Sequence, residues 1–353
     1  MAARKSSASV SSSVSAAAPP ASAEGATEPS VADSARPKRT VPTGRGRAEA
    51  GLQSDAMQKA LLTAVAGDER PLFAVLRRFS GLPGVRANVK LAEAFGESVA
   101  SLGAKTGVPL ATGMLRLHAD VAEGGTDLEF LPICAVFALG ALGARTIREE
   151  LAGKVEISKK KGAVPMSRTI HELLHEAADD LRYRVRDAVP ENLARLGEFA
   201  KDSLLHELVE WTDGYFHGRA ALLALTNARF LHAVSDSDAV AARLSECFTL
   251  LAKAQRSTAR FPGFKALLEA SQTVPGIFAL AHGNVIVDTL IPFAKTEEPY
   301  MRDTLQKFAN DLRSSGRMGE EANRVEAALA ASKKAPRDPS RIVEGMRGRS
   351  KKR

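Results

Sequence analysis

Cysteine is almost missing from this sequence: among 353 residues there are two, Cys134 and Cys247. Both lie inside apolar helical patterns, which excludes a disulfide framework and a cysteine-based zinc site and points to a reducing compartment. Aromatic residues are also scarce, at 5% with a single tryptophan, against 44% hydrophobic residues rich in alanine and leucine. β-Sandwiches draw on branched and aromatic side chains, so this balance favours helices packed through small residues. Long hydrophobic runs are missing too. The longest, Phe130 to Ala144, follows Glu129 and falls short of the roughly 20 residues a membrane span needs, so it reads as a buried helix. The amino terminus carries Arg4 and Lys5 but continues in Ser and Ala without an apolar segment. That argues against a secretory signal and leaves a Ser-rich organellar transit peptide open. The expected location is the cytoplasm, with nucleoid or nuclear association as a variant, and no membrane contact.

What is present is length and positive charge. The chain is long enough for one large core or two modest domains. Its net charge is +8, and this charge is unevenly placed. Residues 1–55 hold seven Lys or Arg against five Asp or Glu, and residues 332–353 hold nine against two, so the stretch between is close to neutral. An argument from charge to nucleic acid therefore concerns the ends first. Residues 1–55 are dominated by Ser, Ala, Pro and Gly, with too little apolar surface to offset ordering entropy, and a disordered arm is expected there. From Asp55 the pattern turns helical, with Ala60, Leu61, Leu62, Val65, Leu72, Val75 and Leu76 at helical spacing, and such signals run to about Ala331. The expected division is an arm at 1–55, helices over 56–331 and a disordered basic tail at 332–353. A basic segment at 154–165, containing Lys159, Lys160 and Lys161, reads as a loop or hinge.

The strongest single segment runs from Val185 to Gly197. Val185, Ala188, Val189, Leu193 and Leu196 form one apolar stripe and Gly197 is placed to cap the helix. Val-Arg followed by Ala, then Leu, then Leu-Gly resembles the second helix of a HEAT repeat. Pro190 departs from that pattern and predicts a kink or a cost of about 3 kcal/mol. Partial echoes occur at Val85–Phe95, Leu131–Gly143 and Tyr300–Leu312, and His171-Glu172-Leu173 recurs 35 residues later as His206-Glu207-Leu208. The resemblance, over about residues 75 to 325, implies an all-α, HEAT-like α-solenoid of stacked antiparallel hairpins between disordered arms. Such a stack curves into a superhelix with an extended inner surface.

Three clusters carry chemistry in principle. His171-Glu172-Leu-Leu-His175 matches H-E-x-x-H, which on a helix sets two imidazoles on one face as zinc ligands with the glutamate as base. A third ligand is not where the extended motif needs it, and Glu191 and Glu210 are the distant candidates. The histidine–glutamate pairs at 171, 175 and 206 resemble those of deoxyhypusine hydroxylase, a HEAT-type family whose pairs hold two irons. Trp211, Asp213 and Arg219, around glycines 214 and 218, are similar in residue type to the Trp, Asp and Arg of HEAT-like alkylpurine DNA glycosylases. That resemblance implies base stacking by the tryptophan and stabilisation of a sugar cation by the carboxylate.

The arms carry the nucleic-acid candidates: Arg36, Lys38, Arg39, Arg45 and Arg47 at one end, and Arg347, Arg349, Lys351, Lys352 and Arg353 at the other. Arg45-Gly-Arg47 and Arg347-Gly-Arg349 resemble the centre of an AT-hook, in which glycine lies in a narrow minor groove and the arginines reach along it. Arg77, Arg78, Arg86 and Lys90, and separately Arg182, Arg184 and Arg186, form local excesses that become a phosphate track only on a shared face. The reading is a non-enzymatic scaffold that binds a protein or nucleic-acid partner on its curved surface, with the arms adding non-specific DNA or RNA contact. A HEAT-like glycosylase acting on alkylated bases and a pure protein–protein adaptor are the alternatives. No cofactor is expected.

Overall fold

Leucine and alanine at three- and four-residue spacing, with few branched residues to resist it, produce helices throughout. In the computed structural model, which describes residues 44–153, 164–296 and 298–332, every regular element is helical. The chain divides at Gly46 into two units, and the fold described is that of the second, from Arg47 onward. In order, the helices are α1 (Gly44–Val65), α2 (Arg70–Arg78), α3 (Val89–Ser101), α4 (Ala104–Leu115), α5 (Phe130–Leu151), α6 (Met166–Ala178), α7 (Tyr183–Ala200) and α8 (Asp202–Glu207). They continue as α9 (Tyr215–Thr226), α10 (Ala228–Leu231), α11 (Ser237–Ala252), α12 (Pro262–His282), α13 (Asn284–Leu290), α14 (Pro299–Ser314) and α15 (Gly319–Ala331). Short 3-10 turns lie at Asp127–Glu129, Leu208–Asp213, Arg256–Arg260 and Ile291–Lys295.

The packing has a regular order. α3 lies on α5, α5 on α7, α7 on α9, α9 on α12 and α12 on α14, while α4, α6, α11 and α15 each pack beside the members of that row nearest to them in sequence. The segment Asp127–Leu151 is long and apolar enough to cross a membrane by composition, and 94% of its most apolar window is buried inside the protein. Phe130 to Ala144 is buried on every face, so α5 is the central core helix. Each large side chain it contributes, such as Phe130 or Leu139, adds on the order of 2 kcal/mol of burial. Cys134 and Cys247 are both buried, and burial pushes the Cys247 thiol up to about 12.

One local expectation is revised. Gly197 does not cap α7. The helix runs on to Ala200, and Gly197 sits in its interior because the Phe230 ring of α10 presses on it; a Cβ there would lie 2.3 Å from the ring. The reversal after α7 is made by Lys201 instead, at φ 52, a region that disfavours side chains. α7 also continues through Pro190, with Asn192 donating to the Ala188 carbonyl at 2.9 Å. α1 is helical from Gly44, so its first turns overlap the arm expected at residues 1–55. The hinge read at 154–165 lies outside the described residues except at Val164 and Pro165, the latter preceding α6.

Candidate functional site

α6 is amphipathic, and its inward face carries His171 and His175 one turn apart. Against it pack the turn Leu208–Asp213, which supplies Trp211 and Asp213, and the first turn of α9, which supplies His217. Trp211 is fully buried. Its Nε1–H donates to Nε2 of His171 at 2.8 Å, and His171 is itself buried. This bond fixes His171 as a neutral ring with its proton on Nδ1, which lies 3.8 Å from Glu207. Burial, reinforced by the Arg168 charge, lowers the His171 pKa to about 4.

Beside the indole, the rings of His175 and His217 stack with centroids 3.8 Å apart. Nε2 of His217 donates to the His175 carbonyl oxygen at 3.1 Å, so its Nδ1 faces Oδ1 of Asp213 at 3.1 Å. Nε2 of His175 lies 3.6 Å from the same oxygen, is shielded from solvent and has no hydrogen-bond partner. Burial, together with the neighbouring His175, lowers the pKa of His217. Gly214 makes room for this approach, since a Cβ there would lie 2.8 Å from Nδ1 of His217. His175, Asp213 and His217 thus turn three ligand-type atoms toward one another.

The groups expected to act together are distributed differently. His171 and His175 do not share a ligand point, because Trp211 occupies the Nε2 of His171. Glu172 and Glu210 both pair with Arg168 and Glu191 accepts from Asn227, so among the described residues each candidate glutamate has another partner. His206 is exposed and faces Asp236, so the three-pair iron arrangement is not assembled. The glycosylase-like trio is also separated: Trp211 lies in the core where no base can stack on it, Asp213 faces two histidines, and Arg219 pairs with Asp187 at 3.0 Å. Sequence reasoning missed His217, although its place four residues after Asp213 at a helix start was visible.

Arg182, Arg184 and Arg186 are latches rather than a phosphate track. Arg182, only 5% exposed, holds Asp180 bidentately and donates to the carbonyls of Leu117 and Ala122, tying the loop after α4 to the start of α7. Arg184 donates to the buried carboxylate of Glu129 at 2.9 Å, and Arg186 lies over the Phe216 ring. Arg77 pairs with Asp127.

A different set of arginines converges. Arg145 and Arg148 of α5, Arg195 of α7 and Arg229 of α10 line one groove of about 410 Å³ that also borders α3. Glu97 pairs with Arg195, and Arg145 pairs with Glu149 at 2.6 Å. Arg148 lies over the Phe199 ring and bonds the Ala144 carbonyl; among the described residues neither it nor Arg229 is held by a carboxylate. Of the arm residues expected to contact nucleic acid, Arg36, Lys38, Arg39, Arg347, Arg349, Lys351, Lys352 and Arg353 lie outside the described residues; Arg45 and Arg47 fall in the first turn of α1.

No protein-family model, curated protein or solved structure matches this chain.

Proposed function

We propose that this chain is a non-enzymatic, HEAT-like helical-repeat scaffold whose partner is a nucleic acid, gripped along the arginine groove across α3, α5 and α7, with the basic arms adding non-specific contact. The observation that carries this reading is the groove: four arginines from three different helices meet there beside Glu97 and Glu198, and among the described residues Arg148 and Arg229 are held by no carboxylate. Guanidinium groups are weakly hydrated and planar, and Arg148 already lies on an aromatic face, which suits phosphate and base contact alike. The neighbour-to-neighbour packing of the long helices supports a repeat architecture with an extended binding face. Chemistry on the partner is not part of the reading, because the tryptophan and the histidine that such chemistry would use are bonded to each other in the core. In a gel-shift on random duplex, Arg148→Glu/Arg229→Glu in the full chain weakens binding on the order of 10-fold or more, as expected when two phosphate contacts become repulsive. Unchanged binding by this double variant contradicts a role for the groove, and no binding by the wild-type chain leaves the protein-adaptor reading in its place.

A further inference from the structure

We propose that His175, Asp213 and His217 form a binding site for a single divalent transition-metal ion of the zinc class, joining α6 to the start of α9. The argument begins with the tautomer of His217. Its Nε2 faces a carbonyl oxygen, which only accepts, so the ring proton resides there and the Nδ1 lone pair points at a carboxylate oxygen 3.1 Å away. Two acceptors at hydrogen-bond distance repel unless a cation lies between them. A second proton on His217 would answer that repulsion but would leave His175 as it stands: a shielded Nε2, without a partner, 3.6 Å from the same oxygen. One metal ion answers both.

The spacing fits. Ligand atoms held at zinc distances around a tetrahedral ion lie about 3.4 Å apart, and the two nitrogen–oxygen separations here are 3.1 and 3.6 Å. The outer arrangement also fits, since a metal-binding imidazole commonly donates its other N–H to a carbonyl, as His217 does to the backbone of His175. The donor set of two imidazoles and one carboxylate selects zinc, cobalt or nickel over calcium or magnesium, which prefer all-oxygen cages. The two rings lie 14° from parallel, so binding one ion requires them to tilt toward Asp213, whose exposed carboxylate leaves further coordination positions to water. Gly214 gives His217 the space to turn. Three ligands from α6, the 3-10 turn and α9 would fasten two successive hairpins, which makes the ion a staple of the array.

The test is titration of the full-length, chelator-treated protein with Zn²⁺ by calorimetry and with Co²⁺ by visible absorption. The fluorescence of Trp211, whose ring centroid is 5.1 Å from that of His175, reports Ni²⁺ binding independently. The expected result is one ion per chain and cobalt ligand-field bands of a low-coordinate site. Asp213→Asn and His217→Gln should each weaken binding on the order of 100-fold or more, while His118→Ala and His232→Ala, at exposed histidines, leave it unchanged. Should His217→Gln fail to fold, Asp213→Asn decides, because its carboxylate is exposed. Absence of a stoichiometric ion in the wild-type chain, or wild-type affinity in Asp213→Asn, overturns the proposal.

Discussion

Lowering the pH through the histidine range acts on one bond at the centre of this fold. The indole N–H of Trp211 donates to Nε2 of His171, and that bond exists only while the ring is neutral. The folded-state pKa of His171 is about 4, against 6.5 for the free side chain. A base whose pKa falls on folding binds its proton more readily in the unfolded chain, so its contribution is intact above pH 6.5 and is lost as the pH falls toward 4. At about 1.4 kcal/mol per pKa unit, the full loss is about 3 kcal/mol, of which about 2 kcal/mol is gone by pH 5. Urea unfolding followed by the fluorescence of the lone tryptophan measures this directly at pH 7.5, 6 and 5. His217 and His282 are also lowered by burial and add slope of the same sign, so the decisive quantity is the difference from His171→Gln. Glutamine keeps an acceptor for the indole but does not titrate, and its pH dependence should be shallower by about 2 kcal/mol between pH 7.5 and 5. Equal slopes in the two proteins would refute the assignment.

Other perturbations test the packing. Arg182→Met strands Asp180 and two loop carbonyls in a nearly closed site and should destabilise by about 3 kcal/mol in denaturant unfolding, with Arg182→Lys giving little rescue because one ammonium cannot replace the fork. Gly197→Ala should cost roughly 1–3 kcal/mol, since its methyl meets the Phe230 ring. Gly113→Ala, in α4 with open space around it, should instead stabilise by roughly 0.5–1 kcal/mol. Lys201→Gly should raise the unfolding midpoint by an amount equivalent to about 1 kcal/mol, because the strained φ of 52 is one that glycine adopts freely.

Helical periodicity made the all-α class legible from the sequence, and the apolar character of Phe130 to Ala144 marked the central helix, because both depend on residue spacing along one element. The cap at Gly197 was misread for a reason that lies outside its own helix: a phenylalanine from α10, more than thirty residues away, needs the missing side chain. The same holds at the histidine cluster. His171 and His175 share a helix and form a known pattern, yet what each does is set by Trp211 and by His217 on other elements. The arginines at 182, 184 and 186 form a local excess in sequence, but Asp180, Glu129 and two carbonyls across the chain hold Arg182 and Arg184. Conversely, Arg145, Arg148, Arg195 and Arg229 are unremarkable in sequence and meet only because α5, α7 and α10 are neighbours.

The salt dependence of binding to random duplex most directly tests the reading of this chain as a nucleic-acid scaffold. In full-length protein, log K should fall linearly with log salt, with a slope of about −0.9 for each phosphate neutralised. Replacing Arg347, Arg349, Lys351, Lys352 and Arg353 with glutamine should flatten that slope by up to about 4.5, leaving a residual slope from the groove and the amino-terminal arm, which Arg148→Glu/Arg229→Glu then reduces further by about 2. Binding that is indifferent to salt, or absent at low salt in the wild-type chain, would contradict the account.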